Sequence, residues 1–176
     1  MLKPPHSSQV PELKMLRGAH THTVALDTLT AASMQLEVFA SFTIYNATTM
    51  FGVDVLAALD GSSAVSLVVD CTSPGADADC HVVVDATAQG GGRSQGPLLF
   101  GTGPSSVMNV TMHAIVDHSI IELIVNNRTA IVEYANPPTD QHTGVRLFYR
   151  TSATEQHAGV SSTGAASMDY WQLDGI

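Results

Sequence analysis

Asp117 and Glu122 are the carboxylate pair whose spacing first suggests chemistry in this sequence. Two carboxyl groups about 5–5.5 Å apart can cleave a glycosidic bond with retention, and about 6.5–9.5 Å apart with inversion. Placed on one extended strand, these two would stand roughly 17 Å apart. Their odd offset would also turn them to opposite faces. The alternative is structural: Asp117 satisfies turn amides, Glu122 pairs with a cation such as Arg128, and no catalytic residue is assigned. His20 and His22 form a second constellation, since two imidazoles on one strand face can chelate zinc or copper. A third ligand would have to come from His113 or Glu122; otherwise the two are surface histidines among the eight of the chain. No metal site and no cofactor is therefore expected. Sugar binding asks for an exposed aromatic platform with polar side chains that fix hydroxyls. Of Tyr45, Tyr134, Tyr149, Tyr170 and Trp171, the surface candidates are Tyr45 and Tyr134, at strand ends beside polar residues. Glu122 and Arg128 are the polar partners considered with them, and Trp171, near the last strand, is expected in the core.

Cys71 and Cys80 bracket the polar stretch 72–79 between two valine-rich segments. A disulfide across a loop of this size would stabilise by about 2.5–3 kcal/mol on the chain-entropy estimate. Two reduced thiols are the alternative, decided by the compartment. Asn46-Ala47-Thr48, Asn109-Val110-Thr111 and Asn127-Arg128-Thr129 are glycosylation sequons, which point toward a secreted parent, although Met1 to Gln9 lack the apolar core of an export signal. Charged residues make up 13% of the 176 and the formal net charge is −9. Nucleic acid and anionic membranes both call for a basic patch and are not expected partners.

The elements that must position these residues are strands. From Met34 to Tyr45, Met34, Leu36, Val38, Ala40, Phe42 and Ile44 point one way, while Gln35, Glu37, Ser41 and Thr43 point the other, with Phe39 and Tyr45 as exceptions. A period of two sustained over this length predicts a half-buried strand. Phe51 to Leu59 alternates again, and Asp60-Gly61 predicts a hairpin into 64–70. Residues 81–86, 143–150 and 165–173 read as further strands, 20–26 as another, and 27–33 as a connection. Val107 to Pro138 reads as three antiparallel strands in succession. Asp117-His118-Ser119 makes the first turn, Asn126-Asn127 a two-residue turn of type I′, and Pro137-Pro138 ends the pairing. Gln89 to Pro97, with Gly90 to Gly92, is expected to be a mobile loop, and 151–163 a polar one. No segment keeps a helical period. The expectation is an all-β chain, about ten to twelve short strands in a two-sheet antiparallel sandwich. Residues 1–18 read as a linker remnant, with one helical turn over 12–16, and 19–176 as the sandwich domain.

Val116-Asp117-His118-Ser119-Ile120-Ile121-Glu122, followed by Asn126-Asn127-Arg128-Thr129, resembles the final hairpin of the C-terminal β-sandwich of glycoside hydrolase family 32. Those enzymes are the invertases, inulinases, levanases and other β-fructosidases. Val10-Pro11-Glu12-Leu13, Leu16-Arg17-Gly18, Phe51-Gly52-Val53, Asp60-Gly61, Thr143-Gly144-Val145-Arg146-Leu147 and Met168-Asp169-Tyr170-Trp171-Gln172-Leu173 agree in order, so the resemblance spans almost the whole chain. It implies a jelly-roll or concanavalin-like sandwich that accompanies a catalytic propeller. The family's catalytic residues lie in propeller motifs of the Asn-Asp-Pro-Asn, Arg-Asp-Pro and Glu-Cys types, none of which occurs here. The resemblance thus implies a non-catalytic accessory module that packs against a propeller or another subunit, or self-associates. The alternative is an autonomous, lectin-like module for a fructan-like carbohydrate.

Overall fold

The structure, a computed structural model, describes residues 22–23, 27–44, 49–71, 80–99, 108–151 and 165–173. Twelve strands are described: β1 (His22–Thr23), β2 (Thr30–Ala31), β3 (Gln35–Ile44), β4 (Thr49–Ala57), β5 (Val65–Asp70), β6 (His81–Asp85), β7 (Arg93–Pro97), β8 (Met108–Asp117), β9 (Ile120–Val125), β10 (Thr129–Tyr134), β11 (Gly144–Thr151) and β12 (Ala165–Gln172). They form two six-stranded sheets, β1-β12-β3-β8-β9-β10 and β2-β11-β4-β5-β6-β7, with antiparallel pairing throughout. The expected all-β sandwich is the observed fold. The linker reading of 1–18, the helical turn at 12–16, and the polar loop beyond Thr151 lie outside the described residues.

Alternation decides which face of each sheet is inside. Leu36, Val38, Ala40, Phe42 and Ile44 of β3 are all buried, and across the layer they meet Phe51, Val53, Leu67, Val69, Val82, Val84 and Leu147 of the second sheet. The Phe42 and Phe51 rings, one from each sheet, lie 4.7 Å apart at 46°, the tilted geometry aromatic pairs prefer. β4 departs from strict alternation near its end. Its register with β11 shifts between Gly144 and Arg146, and Leu56 takes φ 47. This bulge buries the neighbours Val55 and Leu56 together, where a regular strand would send one of them to solvent.

The two sheets are stitched along one side, where β7 and β10 are the facing edge strands. Ser94 donates to Glu133 Oε2 at 2.6 Å, and Thr129 Oγ1 donates to the Pro97 carbonyl at 2.5 Å. The Asn136 amide donates to the Gln89 carbonyl at 2.8 Å, just beyond β10. Gly91 belongs to the same seam: a Cβ there would sit 2.0 Å from the Tyr134 carbonyl oxygen.

Three expectations are corrected. Gln89 to Pro97 is not one mobile loop, because residues 93–97 pair with β6 in register, Asp85 opposite Arg93 through His81 opposite Pro97. Arg-Ser-Gln-Gly-Pro lacks the apolar alternation that marks a strand; backbone pairing with a neighbour creates it. The connection 27–33 contains a short strand, β2. Trp171 is half-buried on the outer face, and the core position falls to Tyr170 at 1% exposure.

Candidate functional site

The hairpin of β8 and β9 overturns the expected geometry of Asp117 and Glu122. Asp117 lies opposite Ile120 and Ile115 opposite Glu122, so the two carboxylates share the outer face as diagonal neighbours, roughly 7–8 Å apart at the backbone. The chain reverses between them at His118, with φ 54, and an odd offset across a reversal keeps the face. Their proximity does not make an acid–base pair. His118 and Gln35, both bonded at 2.9 Å, hold the Asp117 carboxyl below its ordinary range, whereas a general acid needs its pKa raised. Both residues are exposed, and no wall excludes water from them. Glu122 does not pair with Arg128. It lies opposite Val132, and Arg128 sits beyond the Val125–Thr129 rung, three rungs nearer the turn, roughly 10 Å away along the strand.

The proposed sugar partners converge only in part: Tyr134 and Glu122 are diagonal neighbours on the outer face of β9 and β10. Tyr134 lies opposite Ile120 at one end of the β9–β10 hairpin and Arg128 lies in the turn at the other, a separation of roughly 17 Å. Tyr45 and His20 lie outside the described residues. His22 pairs with Tyr170 in β1, and β12 and β3 stand between it and His113 on β8. Three strand spacings come to roughly 14 Å, too far for His113 to complete a metal site with His22, and Glu122 is one strand further. His113 instead meets Glu37 at 2.9 Å. Among the described residues no group of three metal-ligating side chains occurs. Cys71 and Cys80 are joined as a disulfide with Cα atoms 4.3 Å apart. Asn109 is exposed on β8, where its side-chain oxygen accepts from Thr43 at 3.0 Å, and Asn127 is exposed in the turn.

Two arrangements escaped sequence reasoning. His142, 7% exposed, places Nε2 3.2 Å from Ser63 Oγ and Nδ1 3.0 Å from Thr139 Oγ1. The pair has the elements of a nucleophile and base. The amides beside it are already committed, Gly61 to the Ala58 carbonyl and Ser62 to Asp60 Oδ1, so they offer no oxyanion hole. It serves to clamp 139–142 onto the β4–β5 turn.

The second arrangement is a groove on the outer face of the second sheet. Register aligns Phe148, Gly52, Val68, Val83 and Gln95 on one rung. On one side stand Arg146, Asp54, Ser66, Asp85 and Arg93, and on the other Arg150, Met50, Asp70 and His81. The floor dips at Gly52, where a Cβ would stand 1.9 Å from the Leu67 carbonyl oxygen. Only glycine permits that approach of β5. A cavity of about 200 Å³ results, lined among others by Val68, Val83, Asp70, Asp85, Arg93 and Arg150. The rim is rigidly held. Asp85 Oδ1 accepts from the amide and hydroxyl of Thr87 at 3.1 and 2.6 Å, leaving Oδ2 3.5 Å from Arg93 Nε. The Arg150 guanidinium lies 4.8 Å above the Phe148 ring, within cation–π range. Arg146 binds Asp54 through Nε at 2.9 Å and through Nη2, and Ser66 donates to the same carboxylate at 2.7 Å. The signal in the sequence was faint: apolar Val68, Val83 and Phe148 at the outward positions of strands, where alternation calls for polar residues.

Residues 10–172 match the family model described as glycosyl hydrolases family 32, C terminal. No curated protein sequence matches the chain. Among solved structures, the fold is similar to that of the β-fructofuranosidase of Aspergillus kawachii, with TM-score 0.60 and 11% identity over 92% of this chain and 28% of that one. It is similar to the exo-inulinase of Aspergillus awamori, with TM-score 0.62 and 16% identity over 89% and 29%. The fructan 1-exohydrolase IIa of Cichorium intybus gives TM-score 0.58 and 13% identity over 95% and 37%. At these identities the likeness is one of fold, and the chain spans well under half the length of each.

Proposed function

The chain belongs to the family of glycosyl hydrolase family 32 C-terminal domains, and we propose that it serves as a non-catalytic accessory module of β-fructosidase architecture. Its occupant is a catalytic propeller, in the same polypeptide or another subunit, docked on the outer face of the first sheet. One observation carries this reading. Of the seven large exposed hydrophobic residues described, Phe39, Ile120, Ile124, Val132 and Tyr134 lie on that face, and only Leu59 and Leu99 lie elsewhere. Half-buried Ile115 and Trp171 continue the patch across β8 and β12. A contiguous apolar face of this kind marks an interaction surface. Asp117 stands at its end, opposite Ile120, while Glu122 lies within it, between Ile115 and Val132, so the docked partner must answer that carboxylate with a cation or a hydrogen-bond donor.

The absence of chemistry is tested directly. Purified protein is expected to release no reducing sugar from sucrose, inulin or levan. Release that disappears in Glu122→Gln would overturn the accessory reading and return Asp117 and Glu122 to consideration as a catalytic pair.

A further inference from the structure

We infer that the groove on the outer face of the second sheet is a binding site for a single unit of a neutral sugar. The inference goes beyond the accessory reading, because a docking module needs no sugar contact of its own. It also moves the site away from the β9–β10 hairpin to the opposite side of the sandwich. Size is the first argument. A cavity of about 200 Å³ lies below the roughly 300–1,000 Å³ of sites for drug-sized ligands, and suits one sugar ring rather than a length of polysaccharide. Charge is the second. Asp70 and Asp85 face Arg93 and Arg150 around the rim, so the site carries no net charge and favours neither an anion nor a cation. Pattern is the third. The apolar rung of Val68 and Val83 is flanked by charged rungs, each about 7 Å away along the strands. A sugar ring has the same division: C–H faces that rest on apolar side chains, and hydroxyls at the periphery. Carboxylates accept from vicinal hydroxyls, and guanidinium forks donate to two oxygens at once. Preorganisation is the fourth, since Thr87 fixes the Asp85 carboxylate and Phe148 supports Arg150. An already ordered rim loses less entropy on binding.

The test is a titration of the ¹⁵N-labelled chain with fructose, 1-kestose, glucose and, separately, inorganic phosphate. At least one sugar is expected to shift the amides of Gly52, Val68, Val83 and Phe148 with millimolar affinity. Asp85→Asn and Arg93→Gln should each weaken it by about tenfold with the melting curve retained. Should either variant fail to fold, Arg150→Gln on the other side of the groove supplies a second test, expected to weaken sugar binding likewise. Saturating sugar without shifts at these amides overturns the inference, as does a response to phosphate alone. Shifts confined to the Tyr134 strand would overturn it as well. None of these results bears on the accessory reading, which is tested separately by hydrolysis and by the association of the apolar face.

Discussion

Asp54 shows how much a single ion pair matters in this sandwich. It is 2% exposed, yet it keeps a carboxylate bonded by Arg146 and Ser66. Removing one partner of a buried pair leaves an uncompensated charge, which costs about 3–5 kcal/mol, whereas exchanging both for apolar residues is often close to neutral. Arg146→Met, which strands the buried Asp54, should therefore lose that much by urea unfolding, and Asp54→Leu with Arg146→Met should recover most of it. Glu133 makes a weaker, pH-dependent contribution at the seam. The Ser94 hydroxyl and the Tyr134 and Gly92 amides hold its carboxyl below the ordinary range. A lowered folded-state pKa contributes stability that is complete above the unfolded value and is lost as pH falls through the folded one. Glu133→Gln should thus lower the urea midpoint at neutral pH. Its deficit should narrow on acidification below about pH 4; a constant deficit would assign the role of Glu133 to packing instead.

The β9–β10 turn makes a sharper demand on the backbone. Asn126 and Asn127 both have positive φ, 52° and 53°, and the Arg128 amide closes the turn on the Val125 carbonyl at 3.0 Å. A β-branched residue pays about 1–2 kcal/mol for this conformation. Asn127→Val should destabilise by about that amount in thermal or denaturant melts, and Asn127→Gly should be close to neutral. The asparagine pair was legible because its chemistry is local, although Val125 lies opposite Thr129 and the turn holds three residues rather than the expected two; β3 was legible because its period of two runs through ten residues. β7 was hidden, since an edge strand of Arg-Ser-Gln-Gly-Pro owes its form to β6. The hairpin geometry of Asp117 and Glu122 was hidden in the same way, because where a strand ends decides which face follows. The groove was less visible still. Its floor and rim come from β4, β5, β6, β7 and β11, and no local pattern brings five strands together.

At the scale of the whole molecule, the two outer faces have different roles: one is apolar and broad, the other grooved and charged. The apolar face should make the isolated protein self-associate at high micromolar concentration, through that face rather than the β7–β10 seam, whose edges are already joined. Sedimentation velocity should show a dimer that Ile124→Glu with Val132→Lys returns to monomer. A parent that stays monomeric would remove the docking argument. The topology carries a further consequence, in time rather than in energy. β11 pairs with β4 and β12 with β3, so the last strands to be translated neighbour two of the earliest in both sheets. Ser41 and Ser167 bond across 126 residues of sequence. At a synthesis rate of about 5–20 residues per second, β3 waits roughly 6–25 s on the ribosome for its partner. Through that interval Phe42 and Phe51 have no complete core to enter, and yield in the cell should depend on what shields them.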